Sequence, residues 1–411
     1  MSINSEDVRT WIGEIMKKKG VKKYRLDISD SAKGDGYSCD VCFVKVTVEE
    51  GKDAGEIYDV VVKAGKVSEK LRENCPIVEI YFREIVLYTK VLPMIEQLQK
   101  EYGIKNCFTH YAPVFYTSKE DRKEAILLQN MKVRGYMVHD RTVPHNLEEA
   151  LLAFRTYAKW HGASMAFKIK KPELFHEVTN NMNDNFGDIL FKSRLIESFP
   201  KFHQLGLNVL KKVGQQDMAK KIEEEASDFK KMCGSLTLSH DKEAEREAVI
   251  LHGDCWNNNM MFKYKDMDIS KPIDMVLLDF QMSRLASPIL DLSYYLYSTA
   301  DRNVLDKFDH LLEEYHKELE NYLRQYDINV DDLLTLKRLR TSWRKYGRFG
   351  FAMSAFILRA ALSKEDEVID FSAEVADSTI QNLQINVIEK EEEYDRRILD
   401  VYTHFYKTCL L

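Results

Sequence analysis

An α+β protein of two lobes is what the sequence predicts, with a strand-rich portion at residues 1–130 and a larger, mainly helical portion at residues 131–411. Three observations carry this. At 411 residues the chain exceeds the usual size of a single hydrophobic core. Strand-like patterns fill the first third: "VKVTVEE" alternates Val44, Val46 and Val48 with Lys45, Thr47 and Glu49, and "IYDVVVKAG" is a β-branched run. Beyond about residue 145 the apolar period becomes helical, and an order of strands first and helices later gives two lobes with a cleft between them. Hydrophobic residues at 45% and charged residues at 31% suit a chain that buries a real core.

The elements follow in order. "MSINSEDVRTWIGEIMKKKG" reads as an amphipathic helix, because Glu6, Asp7 and Glu14 interrupt any signal-peptide core. In "SAKGDGYSC", Gly34 and Gly36 stand just before the first clear strand, where backbone amides could approach a phosphate or where the chain could simply turn. Pro76 opens one long helix, "CPIVEIYFREIVLYTKVLPMIEQLQ", with Ile77, Ile80, Tyr81, Tyr88 and Val91 on one stripe. Glu84 falls on that stripe. A carboxylate facing a core is costly unless a cation or several donors meet it. Lys63, at the end of "DVVVK", is the nearest candidate partner; the alternative is that each side chain reaches solvent by itself.

In the helical portion, "NLEEALLAFRTYAKWHGASMAF" puts Leu151, Phe154, Ala158, His161 and Met165 on one face, with His161 read as a core histidine. "SWRKYGRFGFAMSAFILRA" gathers Trp343, Tyr346, Phe349 and Phe351, with Gly347 and Gly350 leaving space, either as the wall of an acceptor pocket or as core. The tail "EEEYDRRILDVYTHFYKTCLL" reads as a last amphipathic helix docked on the lobe.

Composition excludes several functions. Asp and Glu outnumber Lys and Arg, 66 to 60, so no basic surplus favours nucleic acid. No run approaches the roughly 18 apolar residues of a membrane span, Ser2 is not the Gly of myristoylation, and Cys409 is misplaced for prenylation. A cytoplasmic protein is expected, with no membrane partner, and the oligomeric state is not legible. Seven scattered cysteines fit reduced thiols. Cys39 and Cys42 form a CxxC, but no second pair completes a zinc site and their odd spacing sends them to opposite faces of a strand.

The chemistry concentrates in "VILHGDCWNNNMMF" and "IDMVLLDFQ". The first is a strand, a polar turn and a second strand; a polar loop leads to a third. If the second and third strands pair as an antiparallel hairpin, residue 260 lies opposite about residue 278, and Asn259 comes beside Asp279. Their hard oxygen ligands suit Mg²⁺ held together with phosphates and water. Asp254 sits five residues before Asn259, in reach of a hydroxyl presented there. The protein kinase pattern H-R-D-x-x-x-x-N then D-F-G has the same interval. Here Gly253 replaces the Arg and Gln281 replaces the Gly, which argues against a phosphorylation-controlled protein kinase, as does the lack of an A-P-E segment after Asp279. His252 and Asp291 read as braces of this turn, Trp256 as packing, and Arg284 as either a substrate contact or a partner for an acid.

These segments, with "FREIVLYTKVLP", "AKWHGASMAF" and "LLDFQMSRLASPILDLSYYL", resemble the ecdysteroid kinase-like (CHK kinase-like) family of the choline kinase and aminoglycoside phosphotransferase superfamily. The resemblance runs from about Gly34 to "DLSYYL". It implies a bilobal protein-kinase-like fold with an antiparallel sheet lobe, ATP and Mg²⁺ as cofactors, and a hydroxyl of a small, often apolar molecule as phosphate acceptor. It further implies Asp254 as catalytic base, Asn259 and Asp279 as metal ligands, Lys63 with Glu84 as the phosphate-anchoring pair, and Gly34, Gly36 and Ser38 as the loop over the phosphates. The hinge, with Gln129 and Met131 at the nucleotide, departs from the family: "LLQNMKVRGY" has amides at Gln129 and Asn130 where acids are common. A catalytically silent binding protein for an apolar ligand is the alternative reading.

Overall fold

The computed structural model describes residues 3–30, 39–180, 182, 195–226, 242–364, 367, 373 and 385–411. Five antiparallel strands, β1 (Tyr24–Asp30), β2 (Cys39–Val48), β3 (Ile57–Gly65), β4 (Val114–Ser118) and β5 (Ala125–Gln129), lie in the order β1-β2-β3-β5-β4. β1 escapes the sequence pattern because its outward residues Arg25, Asp27 and Ser29 are exposed and its inward ones are only half-buried. Such polarity suits an edge strand that must discourage further pairing.

Strand alternation divides the core in two. Cys42, Val44, Val46 and Val48 of β2 pack with Val60, Val62 and Leu127 against Trp11, Ile12 and Ile15 of α1 (Ser5–Lys18). Each such valine, fully buried, contributes about 1.5–3 kcal/mol. Cys39 belongs to the opposite core, so the two cysteines of the CxxC do face opposite ways. The six described cysteines are free thiols.

After the short α2 (Glu69–Asn74), the predicted long helix runs as α3 (Ile77–Val86), a π-helical turn at Leu87–Val91, and α4 (Leu92–Glu101). Pro93 explains the wide turn. Proline has no N–H to give and its ring crowds the carbonyl four residues back, so the turn ahead of it widens.

The helical portion holds α5 (Leu147–Lys170), α6 (Pro172–Thr179), α7 (Phe199–Lys212), α8 (Gln216–Glu225), α9 (Lys242–Glu247), α10 (Ile289–Thr299), α11 (Arg302–Leu305), α12 (Phe308–Arg324), α13 (Leu336–Leu362) and α14 (Glu391–Phe405). Two small sheets sit among them: β6 (Met137–Val138), β8 (Met260–Tyr264) and β9 (Pro272–Leu277) in the order β6-β8-β9, and β7 (Val249–Ile250) paired with β10 (Leu285–Ala286). α5 starts where Asn146 and Glu149 cap each other's backbone N–H groups. The arrangement is a bilobal, kinase-like α+β fold. Among the described residues no helix is long and apolar enough to cross a membrane.

The aromatic cluster of α13 is core. Phe351 stacks on Phe405 of α14, with ring centres 3.8 Å apart, and Trp343 meets Phe308 edge-on at 4.7 Å. Gly350 makes room for a helix rather than a ligand: a Cβ there would lie 2.1 Å from the carbonyl oxygen of Ser293 on α10. Helical spacing alone does not separate these two uses of aromatic and small residues.

Candidate active site

β8 and β9 form the expected hairpin, with Met260 opposite Leu277, one residue earlier than the spacing suggested. Asn259 therefore faces Leu278, whose N–H donates to its carbonyl at 2.9 Å. β9 ends at Leu277 because the chain leaves the ladder at Asp279, whose left-handed backbone (φ 63°) starts the tight turn Phe280–Met282. Asn259 and Asp279 still sit at the same end of the hairpin.

The turn carrying Asp254 is held from behind by α10. Both carboxylate oxygens of Asp291 accept backbone bonds, from the His252 N–H at 2.7 Å and the Gly253 N–H at 2.9 Å. His161 lies 3.1 Å from the same carboxylate and 2.9 Å from the Tyr315 hydroxyl, a core histidine as its apolar face predicts. Burial alone would raise the Asp291 carboxyl; the bond from His161 and the backbone N–H of His252 outweigh it and hold it below the ordinary value. His252 has both ring nitrogens engaged, Nδ1 with the Asp254 N–H at 3.3 Å and Nε2 with the Leu278 carbonyl at 2.7 Å. Nε2 therefore carries the proton and Nδ1 accepts. Burial lowers its pKa, so it braces the turn as a neutral ring.

Asp254 is gripped at both oxygens. Asn259 Nδ2 donates to Oδ2 at 2.7 Å and to the Asp254 carbonyl at 3.0 Å, and the Tyr294 hydroxyl donates to Oδ1 at 2.8 Å. Two acceptors facing the Asn259 nitrogen fix the amide orientation and leave its Oδ1 as the oxygen for a cation. Burial and then the charge of Asp279 push the Asp254 carboxyl up to about 6, against the two donors.

Lys63 of β3 joins the sheet to this turn. Its ammonium lies 2.6 Å from Glu84 of α3 and 2.7 Å from Asp279. The pairing of Lys63 with Glu84 expected from the two sequence anomalies is present, with Glu84 only 1% exposed. Burial would lower the Lys63 pKa, but Asp279 and Glu84 together raise it; burial pushes the Glu84 carboxyl up while Lys63 opposes. Two carboxylates thus share one ammonium, leaving a surplus negative charge that a cation at Asp279 would balance.

At the hinge, the amides take over bracing. The Asn130 side chain caps the turn Met131–Arg134 by accepting the Lys132 N–H, and the Gln129 side chain donates to the Asp59 carbonyl at 3.3 Å. The Gln129 N–H donates to Pro113, which as a proline has no N–H to return to the Gln129 carbonyl. Met131 is buried. Gly34, Gly36 and Ser38 lie outside the described residues.

Residues 33–328 match the ecdysteroid kinase-like family. The chain belongs to that family. Among curated proteins no sequence is similar enough to count as a relative. Among solved structures, this ecdysteroid kinase-like chain is similar to a mutant of aminoglycoside 2'-phosphotransferase-IIIa in its GDP complex, at 12% identity and a TM-score of 0.43, covering 92% of this chain and 98% of the other. It is also similar to aminoglycoside-3'-phosphotransferase of type VIII, at 11% identity and a TM-score of 0.32 over 86% and 99% of the chains. For the choline kinase LicA from Streptococcus pneumoniae, the values are 11%, 0.32, 95% and 99%.

Among the described residues of this ecdysteroid kinase-like protein, no group of three or more His, Cys, Asp or Glu is arranged to hold a metal ion. Asn259 and Asp279 offer two hard oxygens, an incomplete shell of the kind Mg²⁺ fills with phosphate oxygens and water.

Sequence reasoning missed Tyr294. In "DLSYYL" it is one aromatic in an apolar helix, and only the fold shows that it, rather than Tyr295, reaches Asp254. The structure also explains why Gly253 stands where protein kinases have Arg. Its φ is 90°, and a Cβ would lie 2.2 Å from the Met282 carbonyl oxygen. Gly253→Ala is therefore expected to destabilise the protein by more than the about 1–3 kcal/mol of left-handed strain alone, which urea unfolding measures.

Proposed function

We propose that this chain is an ATP-dependent small-molecule kinase that transfers the γ-phosphate to a hydroxyl of a small, mainly apolar acceptor such as an ecdysteroid or related alcohol. The observation carrying this is the Lys63 ammonium bridging Glu84 and Asp279, which brings a cation from the sheet to the hairpin end beside Asp254. A purely structural ion pair needs one carboxylate; here there are two, and one of them, Asp279, keeps 21% of its side chain exposed. That reading assigns residues 1–130 to a nucleotide-binding lobe and residues 131–411 to catalysis and acceptor binding.

In this mechanism Lys63, positioned by Glu84, holds phosphate oxygens, Gly34, Gly36 and Ser38 cover them, and the backbone of Gln129 and Met131 meets the base. Asn259 and Asp279 would hold Mg²⁺, which would supply positive charge against that developing on the transferring phosphoryl group. Asp254 accepts the proton of the acceptor hydroxyl. Tyr294 and Asn259 fix the plane of its carboxylate, so the acceptor meets a base that needs no reorientation. The hinge amides are engaged in bracing, which supports nucleotide binding rather than the silent alternative. Incubating purified protein with MgATP and a panel of hydroxylated steroids and polyols tests the proposal by ATP consumption and phosphorylated product; absence of product from every alcohol, with MgATP bound, would sink it.

The pH dependence has a definite sign. Asp254 acts as carboxylate, and burial places its titration near 6, so kcat/KM rises with pH through about 6 and levels above it. The same elevation means the folded chain binds this proton more tightly than the unfolded one, so between about 4 and 6 this group makes the fold less stable as pH rises. Tyr294→Phe removes a donor that favours the charged form and moves the acid limb to higher pH. A limb that stays in place would remove Tyr294 from control of the base.

A further inference from the structure

α10 carries more of the Asp254 turn than Asp291 and Tyr294 account for. Asp291, Tyr294 and Ser298 fall on one stripe of the helix, a turn apart each time. Ser298 is buried, and its hydroxyl lies 3.2 Å from the Cys255 carbonyl and 3.1 Å from the Tyr295 carbonyl. One hydroxyl carries one proton. The Tyr295 carbonyl is already met by the Thr299 hydroxyl at 2.8 Å, so the Ser298 proton is left for Cys255. α10 thus meets consecutive residues of the turn: Asp291 takes the N–H groups of His252 and Gly253, Tyr294 the carboxylate of Asp254, and Ser298 the carbonyl of Cys255. The backbone is gripped both before and after the base.

The helix is fixed in turn at its C-terminal end. The last carbonyls of a helix have no partner within it. Here the Thr299 carbonyl accepts the His145 N–H at 3.0 Å, and the Ser298 carbonyl accepts from Arg397 of α14 at 3.1 Å. Arg397 is fully buried, and its Nε and Nη1 have no hydrogen-bond partner among the described residues. A guanidinium so placed is unfavourable by itself, and the negative end of the α10 dipole offsets part of that cost. Arg397 also lies beyond residues 33–328, the part of the chain that matches the family.

We propose that Ser298 is a positioning residue for phosphoryl transfer, holding the Asp254 carboxylate in place through the Cys255 carbonyl, and that Arg397 holds Ser298. The proposal rests on the kinase reading of the site. Neither side chain touches the reacting atoms; each acts through the turn. Without the Ser298 hydroxyl the buried Cys255 carbonyl loses this donor, and the residue after the base is free to shift.

The test uses the full chain, with hydrogen exchange read at the amides of residues 252–255 and steady-state kinetics on whichever alcohol gives product. Ser298→Ala is expected to speed exchange at these amides and to lower kcat by about twofold to tenfold, the range for one net hydrogen bond. The KM for ATP and the acid limb of the pH profile stay in place, because Asn259 and Tyr294 still donate to the carboxylate. Ser298→Thr keeps the hydroxyl and restores both readouts. Arg397→Met, similar in length but uncharged, speeds the same exchange. Tyr297→Phe removes a bond from α10 to His404 rather than to the turn, and leaves both readouts at wild-type values. Unchanged exchange in Ser298→Ala, or equal losses of kcat in Ser298→Ala and Tyr297→Phe, would overturn the proposal. A wild-type chain that phosphorylates no alcohol would overturn the kinase reading and the catalytic role with it, while exchange still shows whether Ser298 holds the turn, which tells the two failures apart.

Discussion

Asp254→Asn is expected to lower the turnover of phosphoryl transfer by about 10²- to 10⁴-fold, the range that a positioned general base supplies. The substitution is close to isosteric. An asparagine oxygen still accepts from Asn259, and its amide donates to the Tyr294 hydroxyl, which reverses its role. Fold and nucleotide binding therefore persist, and the loss falls on kcat rather than on the KM for ATP. Steady-state kinetics with a thermal melt checks both halves. A variant as active as the wild type would take Asp254 out of the chemistry.

The second large effect is on stability. Lys63→Ala leaves Glu84, 1% exposed, beside Asp279 with no cation between them. Removing one partner of a buried pair typically costs about 3–5 kcal/mol, because the remaining charge is left desolvated. Urea unfolding should show that loss together with abolished turnover. Replacing both partners, Lys63→Met with Glu84→Leu, should restore most of the stability but none of the activity. That separation marks the pair as retained for nucleotide handling; a single variant as stable as the wild type would show that Glu84 does not depend on Lys63.

What could be seen in the sequence was what broke a pattern. Glu84 on an apolar stripe and Lys63 at the end of a β-branched run are each unfavourable alone, and the cost of burying either charge points to the other. Asp254, Asn259 and Asp279 stood out for the same reason, as polar residues at the ends of apolar strands. Tyr294 broke no pattern, because a tyrosine in a buried helix is ordinary and its hydroxyl has a meaning only once a carboxylate arrives 40 residues away in sequence. The hairpin register slipped by one because the left-handed residue that ends β9 is an aspartate, and φ is not written in composition. The aromatic residues of α13 were ambiguous for a different reason: core and pocket use the same residues at the same spacing, and only the carbonyl of Ser293 against Gly350 decides between them.

α10 gives this last contact a wider meaning. Asp291 steadies the turn before Asp254 and Tyr294 steadies Asp254 itself, one helical turn apart on a single rod, and that rod meets α13 in close backbone contact at Gly350. Adjustments made far off, where α13 meets its neighbours, are thus transmitted to the reacting end instead of being absorbed on the way. The packing of α13 and the placement of the Asp254 carboxylate are thus tethered through one helix.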